Sequence, residues 1–150
     1  MFPEGGAPVK GELTDPDSLR AALDGVSGLF LLSPVAADEL TGTLIALDLA
    51  HEAGVRDLVY LSVIYADRYR APPHFAAKAA AERVIEDLDF AATILRPGFY
   101  MQNDAWLKDR ILGDGVYDPP VGNNAVLTVD IRDLGEVAAK ALIRGQEAAD

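Results

Sequence analysis

Short apolar runs alternate with amphipathic segments along this chain, which is the pattern of an α/β fold. Leu29-Phe30-Leu31-Leu32 is a continuous apolar run closed by Ser33-Pro34, as expected of a strand covered on both faces. Asp57-Leu58-Val59-Tyr60-Leu61-Ser62 and Ala91-Ala92-Thr93-Ile94-Leu95-Arg96 read as two more strands, the last stopped by Pro97-Gly98. Val9–Leu13 and Val126–Val129 are shorter strand candidates. Asp15-Pro16 opens a first helix, because Asp caps well and Pro lacks only an N–H that the first turn does not use. Gly25 stops it. A second helix is predicted from Glu39 to Glu52, with Leu40, Leu44, Leu47 and Ala50 near the helical period and Gly54 as its terminator. Pro73 opens the longest helix, ending near Leu88, whose apolar stripe is Ala77, Ala80, Ala81, Val84, Ile85 and Leu88. A short helix around Trp106–Leu112 follows, then a loop from Gly113 to Asn124. The closing helix carries Leu134, Val137, Ala138, Ala141 and Leu142 on one face.

Each connection between the three strong strands exceeds a dozen residues and contains a helix. Hairpins need only a few residues, so these are parallel crossovers, right-handed by the usual rule. The expectation is a doubly wound parallel sheet, which binds ligands at the carboxyl ends of its strands. Those ends are Ser33-Pro34, Ser62-Val63 and Pro97-Gly98-Phe99.

Composition narrows the chemistry. The 150 residues suffice for one domain, residues 1–150, with a single core. Thirteen Lys and Arg stand against 24 Asp and Glu, a net charge of −11, which disfavours nucleic acid and anionic membrane surfaces as partners. No cysteine is present, which removes disulfides, thiolate metal sites and thiol nucleophiles, and two distant His residues do not suggest a metal centre. No uninterrupted run of about 18 apolar residues exists, and the first residues lack the pattern of a signal peptide. A cytoplasmic location is the expectation.

Several segments carry a resemblance in order: Gly11-Glu12-Leu13-Thr14-Asp15-Pro16, Leu31-Leu32-Ser33-Pro34, Ala53-Gly54-Val55-Arg56 running into Leu58-Val59-Tyr60-Leu61-Ser62, Lys78 with Glu82, Thr93 to Asn103, and Val129 to Leu134. Together they resemble the NmrA-like family, atypical members of the short-chain dehydrogenase/reductase superfamily. The resemblance implies a partial Rossmann-like sheet lacking the first β-α-β unit, with residue 1 falling just ahead of the third strand of a full-length member. It implies NADP or NAD as cofactor and a small-molecule substrate, hence an NAD(P)H-dependent oxidoreductase. Two alternatives stay open: a regulator that binds the dinucleotide without turnover, and a relic that binds no cofactor. The glycine-rich turn that receives the pyrophosphate has no counterpart here, since Gly5-Gly6 is followed by Ala7-Pro8. With two strands missing, Leu29–Leu32 becomes an exposed apolar edge, and self-association is expected.

The resemblance also implies roles for single residues. Lys78 stands where the family's Lys reaches the cofactor ribose; otherwise it is a solvated surface lysine. His74, four residues earlier on the same helix face, takes the place of the superfamily's catalytic Tyr. It is either an acid/base group or a helix-start His bonded to water or backbone. Ser62 sits where a polar group lies near the substrate, or is simply a strand-end serine. Glu12 matches an acidic residue near the adenine amino group. Gly98 admits a ligand to the backbone or allows a turn. Arg96 can pair with a carboxylate, and Tyr100 and Trp106 either line a pocket or pack in the core.

Overall fold

The computed structural model describes residues 6–118 and 125–149. Strands β1 (Gly28–Leu31), β2 (Asp57–Leu61) and β3 (Ala91–Leu95) form a parallel sheet in the order β1-β2-β3. Leu29 pairs with Leu58, and Val59 with Thr93. Helices α1 (Pro16–Leu23), α2 (Glu39–Glu52) and α3 (Pro73–Asp87) precede and link these strands. Asp15 caps α1, its carboxylate accepting from the Asp17 amide at 3.2 Å, and Gly25 follows at φ +73°. Gly54, at φ +78°, follows α2 in the same way.

The period of two along β2 divides its side chains between two layers. Leu58 and Tyr60 turn toward Ala46, Leu47, Ala81 and Ile85 of α2 and α3, with Leu31 of β1 beside them. Asp57 faces the other way, against Gly145 of α5 (Ile131–Ala149), and Leu142 of the same helix lies over Gly28. Helices thus cover both faces, and β2 is buried along its length. Burying residues such as Leu47, Leu58 and Ile85 stabilises the fold by roughly 1.5–3 kcal/mol each.

A second, two-stranded parallel sheet lies at the C-terminal end, with β4 (Phe99–Tyr100) beside β5 (Thr128–Val129). Between them run a 3-10 turn, Met101–Leu107, and helix α4 (Lys108–Asp114). Helical structure therefore begins five residues before the expected Trp106. Trp106 itself is 82% exposed, neither core nor pocket wall.

Val9–Leu13 is not a strand. Only Val9 and Leu13 are apolar there, and local bonds take the backbone instead. The Glu12 amide donates to Ser18 Oγ at 3.0 Å, the Asp15 amide to the Glu12 carbonyl at 3.0 Å, and Leu13 packs on Gly42 of α2. Among the described residues β1 is therefore an edge strand, with Phe30 40% and Leu32 53% exposed. The stripe on α3 also differs from expectation. Its most buried residues are Lys78, Ala81, Glu82 and Ile85, so two charged side chains lie on the inward face. Gly5-Gly6 straddles the limit of the described residues, and the end of the Gly113–Asn124 loop lies outside them. Among the described residues no helix is long and apolar enough to cross a membrane, and no His, Cys, Asp and Glu cluster is arranged to hold a metal.

Candidate active site

The strand tips meet α2 and α3 in a layer of buried polar groups. Pro73 starts α3 and places His74 and Lys78 one turn apart on the face toward α2. Lys78 is 2% exposed. Its Nζ donates to the Leu61 carbonyl at 3.0 Å and the Ser33 carbonyl at 3.3 Å, and lies 3.3 Å from Glu39 Oε1. Three N–H groups meet three oxygens, so the ammonium is saturated. It also sits 5.0 Å from the centre of the Tyr60 ring. Burial pulls its pKa below the ordinary 10.5, against the opposing pull of Glu39. The solvated-surface alternative for Lys78 is thereby excluded.

Glu39, in the first turn of α2, is shared. Its two oxygens lie 2.7 and 2.9 Å from His74 Nδ1 while one also faces Lys78. His74 therefore has a carboxylate partner rather than water or backbone. The same turn is stitched to β1: Thr43 Oγ1 donates to the Glu39 carbonyl at 2.7 Å and meets Ser33 Oγ at 2.6 Å. With the Thr43 proton so used, Ser33 is the donor in that second bond.

Further along α3, Glu82 receives Arg96 as a fork, Nε at 2.9 Å and Nη2 at 2.8 Å. Burial opposes ionisation of Glu82, but Arg96 and the nearby Ser62 hydroxyl outweigh it and hold the carboxyl below its ordinary range. Arg96 is thus a carboxylate partner, as the sequence allowed. The Ser62 amide extends the sheet by donating to Leu95 at 2.8 Å. Ser62 Oγ is buried without a partner at hydrogen-bonding geometry.

The far wall is the turn after β3. The Ile64 amide donates to the Pro97 carbonyl, and the Phe99 amide to the Leu127 carbonyl, both at 2.9 Å. A Cβ on Gly98 would collide with that Leu127 carbonyl, so the glycine is required by the chain's own backbone. Gln102 ties the wall to α5, donating to Asp130 at 2.8 Å and accepting from the Ile131 amide at 3.0 Å. Asp130 in turn caps α5 through the Arg132 amide, and its contacts with Arg132 hold its carboxyl well below the usual range.

Floor and wall enclose a cleft of about 470 Å³. Ser33, Pro34, Ser62, His74, Lys78, Pro97, Gly98 and Phe99 all line it, together with Tyr100 and Asn103. Glu12 does not. It borders an adjoining hollow of about 160 Å³ that shares Ser33 and Pro34, and its carboxylate accepts from Thr14 Oγ1 at 3.0 Å. Glu39 and Asn103 were not singled out from sequence. An acidic residue at a helix start reads as a dipole partner, and nothing local announces a contact 35 residues away.

The sequence matches the model of the NmrA-like family over residues 3–149. The chain belongs to the NmrA-like family. The chain is similar to an NAD(P)H azoreductase of Xenophilus azovorans, 29% identical over 89% of this chain and 47% of that protein's length. A (4-alkanoyl-5-oxo-2,5-dihydrofuran-3-yl)methyl phosphate reductase of Streptomyces griseus is 31% identical, with the same 89% and 47% coverage. The chain thus spans about half the length of the curated relatives it matches. Among solved structures, an NADPH-dependent quinone oxidoreductase of Escherichia coli complexed with NADPH superposes with a TM-score of 0.79 at 24% identity, over 89% of this chain and 47% of that one. A triphenylmethane reductase of Citrobacter gives 0.76 at 25% identity, covering 88% and 47%. These likenesses establish the Rossmann-like fold that the NmrA-like chain displays.

Proposed function

We propose that the cleft receives the nicotinamide–ribose end of NADPH or NADH and that the protein acts as an NAD(P)H-dependent oxidoreductase on a small carbonyl or quinone-like acceptor. The observation that carries this reading is convergence. Three strand tips far apart in sequence bring six candidate residues, and α3 brings two more, to one cleft at the carboxyl edge of a parallel sheet. The reductases named above support it by kinship.

The lining suits that end of the cofactor. Pro34, Pro97 and Phe99 offer apolar surface to a flat ring, and the buried Ser62 hydroxyl, beside Glu82, borders the same space. The adjoining hollow does not suit a pyrophosphate, because Asp38 and Glu39 line it at the start of α2 and carboxylates at a helix N-terminus repel the anion that such a site would otherwise attract. When bound, the cofactor supplies a hydride. The protein's part is to hold and orient. Lys78 works from beneath, fixing the Ser33 and Leu61 carbonyls and Glu39, rather than reaching out to the ribose. Ser62 offers a hydrogen bond from the floor. Tyr100 and Asn103 bound the substrate side.

Fluorescence titration tests the reading. NADPH should be quenched at micromolar protein, and Ser62→Ala should weaken this by about tenfold, the equivalent of one hydrogen bond. Lys78→Ala should abolish it. Reduced nicotinamide mononucleotide should bind within about tenfold of NADPH, because the contacts proposed for the cleft all lie at the nicotinamide–ribose end. No response up to millimolar cofactor overturns the proposal and leaves the chain without a cofactor. Binding without oxidation of NADPH across an aldehyde and quinone panel leaves a nucleotide-responsive regulator instead. The bare β1 edge forms part of the same proposal: Phe30 and Leu32 pair with a second copy, and light scattering showing only monomer at all concentrations rejects it.

A further inference from the structure

Glu39 and His74 form a carboxylate–imidazole pair at the rim of the cleft. Both Glu39 oxygens lie within hydrogen-bonding distance of Nδ1, and the Glu39 side chain is only 4% exposed. A carboxylate can only accept, so Nδ1 carries the hydrogen and donates it. That assigns the tautomer. Nε2 becomes the free nitrogen, with no partner among the described residues, on a side chain that lines the cleft and is 25% exposed. Lys78 supplies the counter-charge that keeps Glu39 in place between the two helices.

We propose that Glu39 is a positioning residue that fixes His74 with Nε2 toward the acceptor, and that protonated His74 delivers the proton that accompanies reduction. This rests on the oxidoreductase reading above. A bound reduced nicotinamide would supply the hydride, two electrons with one hydrogen, that the acceptor carbon gains. The C=O π pair moves onto oxygen, the Nε2–H bond breaks, and an O–H bond forms. His74 is left neutral with Nδ1–H still on Glu39, and regains a proton from water through its exposed edge. The other titratable groups facing this point are Lys78 from α3 and Tyr100 from β4 across the cleft. Lys78 has its donors engaged. Burial pushes the Tyr100 phenol up, which makes it the poorer acid.

The test is the ring tautomer of His74, read from long-range 1H–15N spectra of the protein without cofactor. The chain has two histidines, so His51→Gln assigns the signals. Wild type should show the Nδ1–H form. In Glu39→Gln the amide oxygen is drawn to the Lys78 ammonium, the amide N–H₂ then faces Nδ1, and the tautomer should switch to Nε2–H. A wild-type ring in the Nε2–H form, or a folded Glu39→Gln protein with an unchanged tautomer, overturns the positioning role. The wild-type spectrum alone decides the first point should the variant fail to fold. With 1,4-naphthoquinone as acceptor, His74→Gln should lower kcat about 100-fold while NADPH quenching is retained. An unchanged kcat overturns the proton-donor role. Absence of NADPH binding in wild type would instead sink the oxidoreductase reading and leave the tautomer result standing.

Discussion

The floor and the far wall of the cleft enclose the same space but are held by different physics. The floor is a sealed lattice in which Lys78, Glu39, Thr43 and Ser33 satisfy one another across two helices and two strand tips. The wall is a two-residue strand pair, one obligatory glycine and the Gln102–Asp130 bridge, with much of the following 3-10 turn and α4 exposed. Buried charges persist only when every partner is present, so the floor has a single arrangement and fails as a unit. The wall sits at the low end of local stability, where segments that admit ligands are drawn from.

The sharpest way to break this contrast is Lys78→Ala. Removing the ammonium leaves Glu39 buried without its counter-charge, and urea melting should register a loss of about 3–5 kcal/mol. A loss below about 1 kcal/mol would mean that the lattice behaves like a surface pair. Gly98→Ala acts on the other side. The new methyl meets the Leu127 carbonyl, and the cost should be about 1–3 kcal/mol. Amide exchange should accelerate at Phe99 and Tyr100 while β2 keeps its protection; uniform acceleration would show that wall and floor are one cooperative unit. Smaller again is the Glu82–Arg96 fork, whose arginine is half exposed and screened. The Glu82 carboxyl is held below its ordinary 4.5 in the native state, so the unfolded chain takes up its proton first on acidification. Its contribution is present in full above pH 4.5 and is lost as pH falls through the lowered native value. Urea midpoints measured from neutral to acid pH should fall less steeply in Glu82→Gln than in wild type. Trp106→Ala should change stability by no more than about 0.5 kcal/mol, since the ring is almost wholly in water.

The framework was legible because its punctuation is local. Asp15-Pro16, Gly25, Gly54, Pro73 and Pro97-Gly98 each mark a boundary by their own backbone preferences, and the structure places element ends beside them. The parallel sheet followed from connection lengths alone, and the sheet geometry then named the strand tips that line the cleft. What remained hidden depends on pairing at a distance. An apolar stripe on α3 identifies Ala81 and Ile85, but not that Lys78 and Glu82 share their inward face, because that requires knowing that Glu39 and Arg96 wait there. Glu39 was missed for the same reason. Val9–Leu13 reads as a strand until no neighbouring strand is found among the described residues to take its hydrogen bonds.

Because Phe99 and Thr128 lie side by side, the stretch between them leaves and re-enters the fold through one doorway. Lengthening such an excursion costs little, about 0.6 kcal/mol for each doubling. The excursion can therefore change in length while the parallel sheet and its buried charges stay in place.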